Sequence, residues 1–307
     1  MEIRQFRYFV SIADMGSLSR ASRALHIAQP ALSQQMAQLE AELGQPLLVR
    51  LPGGVRMTDQ GEVFYRHAQR ILKQLGEIAP ALEGCAGQPT GVVALGLPQS
   101  NASQIAMPLL AALASAYPGI AVEFFDEISG NLLSGLNSGR LDLAVLVSDE
   151  DAGLLQSVPL MQEELFLVSR TDLAPRSRTV TLRRLAGLPL ALPGLGHGVR
   201  AMLEQAVLGE GLVLPLPRVV ANSMGIMRQA IREGIAHGVM PWAAVAGDLE
   251  AGILRATPLA PRLRRRVWLC TAPGEQLSLA GQAVATLLAA TTRERIVRGD
   301  WPGALLP

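Results

Sequence analysis

Lysine is almost missing from this chain of 307 residues: Lys73 is the only one, and the other 26 of the 27 basic side chains are arginines. Arginine's planar fork suits phosphates and base edges, yet usage this uniform reads first as coding bias. Net charge is only +1, so the chain as a whole lacks the basic footprint of a polyanion binder, and composition leaves the function open. Aromatic residues make up 4%. The two cysteines, Cys85 and Cys270, are too far apart to suggest a disulfide framework or a metal site. That predicts a reduced, intracellular protein with no metal and no bound cofactor. Long apolar runs are missing too, since the longest, over residues 105–116, contains Pro108 and falls short of the roughly 18 residues a bilayer requires. The first residues run straight into a helical pattern instead of a charged and then apolar secretion signal. The expectation is a cytoplasmic protein without membrane contact.

What is present suits packed globular material, 49% hydrophobic and 17% charged, and at roughly 150 residues per domain the length predicts two domains. Ile3, Phe6, Val10 and Ala13 recur at helical spacing, which predicts a first helix. Ser17 can cap a second helix that turns Leu18, Ala21 and Leu25 inward. After a break at 26–28, Pro30 suits the first turn of a third helix, whose Leu32, Met36, Leu39 and Leu43 share one face until Gly44 ends it. Residues 46–50 and 55–57 read as strands about a Pro52-Gly53-Gly54 turn, forming a wing.

Thr58, or Asp59 with Glu62 three residues on, then opens a helix on which Phe64, Ala68, Ile71, Leu75, Ile78 and Leu82 alternate steps of four and three. This heptad seam predicts pairing between subunits, with a helix lying on its own domain as the alternative. Pro80 is expected to kink or end the helix, and Gly84, Gly87 and Pro89 mark a hinge. The expected division is a head over 1–58, a linker helix and hinge over 59–88, and a larger domain over 89–307.

In that larger domain short apolar runs alternate with helical stretches. Strands are expected at 92–97, 120–125 and 141–147 with helices at 103–116 and 131–138, then strands at 165–168, 188–192, 218–221 and 238–240 with helices at 199–208 and after Asn222. Such alternation predicts parallel strands with crossover helices, grouped in two α/β lobes. A strand at 264–271 and a closing helix at 279–298 return to the first lobe, which gives lobe 1 about 89–162 and 268–307, and lobe 2 about 163–267. The fold class is α+β multidomain.

The three short helices carry the functional signal. In a helix-turn-helix the second of the two motif helices enters the major groove and offers polar side chains to base edges. Opposite its leucine face the third helix presents Gln29, Pro30, Ser33, Gln34 and Ala37. Gln34 suits two hydrogen bonds to adenine, Ser33 suits a base or a phosphate, and the small Ala31 permits close approach. Arg50 and Arg56 flank the wing turn, within reach of phosphates or the minor groove. Residues 1–70 contain eight arginines against six acids, so charge supports DNA binding weakly and the motif supports it strongly. No Gly-x-Ser-x-Gly elbow, phosphate loop or metal spacing occurs, and the histidines at 26, 67, 197 and 237 are dispersed, which argues against an enzyme and gives no catalytic residues.

Phe9-Val10, Gly16-Ser17-Leu18, Ala21, Ala24, Leu25, the run 26–35, Leu39-Glu40, Leu43-Gly44, Leu47-Leu48, Arg50, Thr58 and Gly61 together resemble a LysR-type transcriptional regulator. The resemblance extends through Pro108-Leu109-Leu110, Tyr117-Pro118, Gly139-Arg140-Leu141-Asp142 and 164–168. It implies an N-terminal winged helix-turn-helix, a long dimerising linker helix, and a two-lobed effector domain of the periplasmic-binding-protein type. By matching position it places Gln29, Pro30, Ser33, Gln34 and Arg50 at the DNA, with Thr58 near the backbone.

Ligands of open α/β sheets sit beyond the carboxyl ends of strands, where helix N-termini collect. Ser100-Asn101-Ala102-Ser103, Ser129-Gly130-Asn131 and Pro193-Gly194-Leu195-Gly196-His197 occupy such places, and Asn222-Ser223 begins a further helix. Ser100, Asn101, Ser103, Ser129, Gly196, His197 and Asn222 are therefore the candidate effector contacts, with an anion or carboxylate favoured. Helix capping by the serines and ordinary turn formation by the glycines are the competing readings. His237 joins them as a candidate ligand or pH sensor, beside the reading of a hydrogen-bonded structural histidine.

The expected function is a sequence-specific DNA-binding regulator, activator or repressor, that reads interrupted palindromic promoter sites on double-stranded DNA as a homodimer or tetramer, with RNA polymerase as a further partner. A small molecule between the lobes shifts its activity. The alternatives are a regulator of the same fold that needs no effector, and a cytoplasmic solute-binding or enzymatic protein whose N-terminal helices only associate.

Overall fold

The structure is a computed structural model that describes residues 1–84, 89–148, 155–272, 274 and 276–307. For residues 77 and 79–84 it describes the backbone alone, so Gly87 of the expected hinge and the side chain of Leu82 in the seam lie outside the described residues. No described helix is long and apolar enough to cross a membrane.

The head forms as its apolar periodicity dictates. Helix α1 (Ile3–Met15) buries Phe6, Phe9 and Ile12 and ends at Gly16 with φ 58°. Ser17 accepts a hydrogen bond from the Arg20 amide and starts α2 (Leu18–Ala24). Pro30 sits in the first turn of α3 (Gln29–Leu43), which buries Leu32, Met36 and Leu39 and stops at Gly44 with φ 67°. The antiparallel strands β1 (Leu48–Leu51) and β2 (Gly54–Met57) form the wing. The wing is tied to the head because the Val55 amide donates to the Gly16 carbonyl at 2.9 Å. A side chain at Gly54 would collide with that same carbonyl, so only glycine permits the approach.

Helix α4 (Asp59–Gly84) continues through Pro80 instead of ending there. A proline forfeits one hydrogen bond and displaces the carbonyl four residues back, here that of Gly76, where no side chain resists the adjustment.

Beyond the linker the order is β3 (Gly91–Pro98), α5 (Ala102–Ala116), β4 (Ile120–Glu127), α6 (Ser129–Asn137), β5 (Leu143–Val147), β6 (Gln156–Arg170), β7 (Val180–Thr181), α7 (Leu182–Ala186), β8 (Leu190–Leu192), α8 (Gly198–Gly209), β9 (Val219–Val220), α9 (Met224–Arg232), β10 (His237–Pro241), α10 (Ala246–Glu250), β11 (Leu254–Thr271), α11 (Leu279–Arg298) and β12 (Ala304–Leu305). The main strand path runs β4-β3-β5-β11-β6-β10-β8-β9. Both ends of that path are parallel, as the β-α alternation predicts, with β4, β3 and β5 at one end and β10, β8 and β9 at the other.

The middle differs from the expectation. β6 and β11 form one long antiparallel pair that crosses from lobe to lobe, where the sequence suggested only the short strands 165–168 and 264–271. Their polar stretches hide the rest: buried Glu163 faces Arg265 in register and pairs with it, and buried Glu164 pairs with Arg262, so charged residues occupy buried strand positions because they meet partners across the ladder. Each lobe has its own core. Leu95, Leu109, Val145, Leu288 and Trp301 belong to that of the first, which includes the returning α11, and Leu167, Leu192, Leu203 and Val239 to that of the second.

Candidate DNA-reading face and interlobe cleft

On α3 the side chains of Gln29, Pro30, Ala31 and Gln34 are exposed and Ser33 is half-buried. Two of them are held in place from outside the helix: Gln29 Oε1 accepts from Ser19 Oγ at 3.0 Å, and Ser33 Oγ accepts from Arg50 Nη2 at 2.6 Å. Arg50 therefore joins the wing to the reading helix, while Gln34 carries no hydrogen bond among the described residues. Arg56 is exposed on β2. Thr58 has a different role from the expected backbone contact. Its hydroxyl donates to the Pro46 carbonyl at 2.7 Å and accepts from the Gly61 amide at 2.9 Å. A hydroxyl has one proton to give, so this cap leaves Thr58 no donor for a phosphate oxygen.

The seam on α4 divides in two. Phe64 stacks on Phe6 at 5.2 Å and meets Phe9 edge-on at 5.0 Å, which packs this end of the helix onto its own head, and Ala68 is fully buried. Tyr65 adds a hydrogen bond to Asp14 on α1. Further along, Ile71 and Ile78 are exposed and Leu75 is half-buried. On another side of α4, Arg70 Nη2 donates to the Asn137 carbonyl at 3.3 Å and Lys73 pairs with Asp142 at the start of β5. Asp142 also accepts from the Ala94 amide at 2.8 Å. The linker thus touches both the head and the first lobe.

Between the lobes lies a cleft of about 240 Å³ whose lining includes Ser100, Ser129, Gly196, His197 and Asn222. These five of the expected effector residues are brought together. Asn222 Oδ1 accepts from the Gly194 amide at 2.8 Å and fixes the loop that ends at His197. His197 Nδ1 accepts from the Val199 amide at 3.3 Å and caps α8. Burial, and next the positive charge of Arg265, hold the His197 imidazole below its ordinary pKa. Gln99 reaches across from the first lobe, its Oε1 accepting from the Met224 amide at the start of α9 at 3.4 Å.

Three expected residues do not line the cleft. Asn101 is completely buried and gives its Oδ1 to Ser100 and Arg265, while its Nδ2 has no partner among the described residues. Ser103 is exposed on α5. His237 Nδ1 lies 2.7 Å from Ser169 Oγ, and burial lowers its pKa, so the structural reading of this histidine fits its surroundings.

Sequence reasoning missed Arg265. It lines the cleft, with a side chain only 3% exposed. Nε and Nη2 donate to Glu163 Oε2 at 3.0 and 2.7 Å, and Nη2 also reaches Ser100 Oγ and Asn101 Oδ1 at 2.8 Å each. Trp301 Nε1 donates to the other Glu163 oxygen at 3.1 Å. Nothing local in the run Arg264-Arg265-Arg266 marks the middle arginine, since its partners lie more than 100 residues away. Among the described residues no cluster of three or more His, Cys, Asp or Glu side chains is placed to hold a metal ion.

Comparison with known proteins agrees with this geometry. Residues 3–62 match the bacterial regulatory helix-turn-helix protein of the lysR family, and residues 86–293 match the LysR substrate binding domain. The chain is 34% identical to the nitrogen assimilation regulatory protein nac of Escherichia coli strain K12, covering 94% of each chain. It is 38% identical to the nac protein of Klebsiella aerogenes, covering 80% of this chain and 79% of that one. Its fold superposes on a full-length OxyR variant from Pseudomonas aeruginosa with a TM-score of 0.71 at 24% identity, covering 95% of each chain. Full-length CbnR complexed with its target DNA superposes with a TM-score of 0.67 at 22% identity, covering 96% of this chain and 99% of that one. A helix-turn-helix head, a linker helix and a two-lobed domain around a cleft therefore stand together in one chain, and that chain belongs to the LysR family, as a DNA-binding transcriptional regulator with an effector-binding domain.

Proposed function

We propose that this regulator reads an interrupted palindrome in promoter DNA by inserting the start of α3 into the major groove, with Gln34 reading a base edge and Arg50 and Arg56 gripping phosphates or the minor groove. The carrying observation is the free, exposed Gln34 beside a Ser33–Arg50 pair that fixes the wing against the reading helix. Gln29, Pro30 and Ala31 shape the approach. The relative CbnR has been captured with its target DNA, which supports this use of the head.

Ile71, Leu75 and Ile78 on α4 face a second copy, in a dimer or a tetramer, and two heads so joined match the two half-sites of a palindrome. The division into a head over 1–58, a linker over 59–88 and a two-lobed domain over 89–307 follows that use. The protein works in the cytoplasm, where RNA polymerase is the partner on which regulation acts. A small molecule bound at Ser100, Ser129, Gly196, His197 and Asn222 shifts the equilibrium between arrangements of the heads. LysG of Corynebacterium glutamicum, of the same fold, carries a bound effector, Arg.

The test is a binding titration of the full-length protein against fragments of its own promoter region at several salt concentrations. Preference for an interrupted palindrome with a steep salt slope is expected, and equal affinity for all fragments overturns the reading.

A further inference from the structure

We propose that Arg265 makes the interlobe cleft selective for a small molecule with one carboxylate and an apolar body. The proposal rests on the reading of the cleft as the effector site. The guanidinium is immobilised from behind: Glu163, Ser100 and Asn101 engage Nε and Nη2, and Trp301 fixes Glu163 in turn. Its remaining nitrogen, Nη1, carries no hydrogen bond among the described residues, although the side chain is almost entirely withdrawn from bulk water.

A guanidinium held through Nε and Nη2, with Nη1 left open in a low-dielectric cleft, is matched by one strong acceptor such as a carboxylate oxygen. Glu163 binds the guanidinium from behind and is not part of the cleft wall, so it leaves Nη1 open to an acceptor that enters the cleft. Opposite walls set the rest of the ligand. Met224, Met227, Met240 and Val239 supply an apolar, adaptable surface. Among the described residues the wall offers no second arginine or lysine to a further anionic group, and its one acidic residue, Glu127, is already paired with Arg140 at 3.1 Å. A volume of about 240 Å³ is below that of sites for drug-sized ligands and limits the occupant to a small molecule.

The experiment is thermal unfolding of the full-length protein with aliphatic monocarboxylates from acetate to octanoate and with benzoate, each compared with its primary amide, and with succinate. At least one monocarboxylate is expected to raise Tm at millimolar concentration, with the matching amide and succinate ineffective. Replacing Arg265 alone strands Glu163 in the core, so the partners are neutralised together in R265Q/E163Q. This pair is expected to keep DNA binding and to bind the active carboxylate at least tenfold more weakly. Arg265→Lys, which keeps Glu163 paired but loses the fork, is the second probe, again with weaker binding expected.

Gly130 lines the cleft and has open space where a Cβ would stand, so Gly130→Trp blocks the site with no clash at Cβ. Amides as effective as acids, undiminished binding in the arginine variants, or no stabilisation by any acid overturns the carboxylate assignment. A neutral ligand whose effect is lost in Gly130→Trp but kept in R265Q/E163Q overturns that assignment and leaves the cleft as the binding site. A carboxylate effect that survives both changes overturns both.

Discussion

Gln34 and Arg50 both face outward on the head, yet they do different work, and substitution separates them. Gln34→Ala is expected to cost about 1–3 kcal/mol on the preferred base and little on sites altered at that position. Arg50→Ala is expected to weaken binding to every sequence and to reduce the salt slope by about one, while releasing Ser33. Fluorescence-anisotropy titrations over a panel of single-base variants at two salt concentrations measure both effects. His197 provides a residue-scale test of pH. Its imidazole is held below its ordinary pKa of 6.5, so the folded state refuses a proton that the unfolded chain accepts. Stability is therefore full above that ordinary value and falls as the solution is acidified through it. His197→Asn, which keeps an acceptor for the Val199 amide, is expected to flatten the dependence of Tm on pH between about 7.5 and 5.5. Asp248, whose hydrogen bond from Arg228 holds its carboxyl low, withdraws its contribution only at more acid pH.

Elements differ in how openly the sequence announces them. The helices of the head and the α4 seam were legible because one face of each repeats every three or four residues, and Gly16, Gly44 and Pro30 punctuate them. β6 and β11 were legible only in part, because Glu163, Glu164 and Arg265 break the apolar alternation while pairing with partners that a local window never sees. The same non-locality hid Arg265 from the set of cleft residues. On α4, periodicity located the seam but not its division of labour. Phe64→Ala is expected to destabilise the head by roughly 2–4 kcal/mol through loss of packing on Phe6 and Phe9, visible in its chemical unfolding curve. Ile78→Glu places a charge on the exposed part of the seam and is expected to shift the protein toward monomers in sedimentation velocity, with its head still folded.

Across the whole molecule, α4 meets the first lobe at Arg70, which donates to the Asn137 carbonyl, and at Lys73, which pairs with Asp142. Asn137 ends α6, whose other end, Ser129, lines the cleft. Lys73→Met leaves Asp142 its bond to the Ala94 amide and is expected to cost about 1 kcal/mol, with faster amide exchange around residues 137–142. The scarcity of lysine that marks this sequence then becomes useful at the bench. Because the single ε-amine lies at this junction, an acylating reagent leaves at most one lysine adduct on the polypeptide. The rate at which it forms reports on the Lys73–Asp142 contact alone, because every other basic side chain is an arginine.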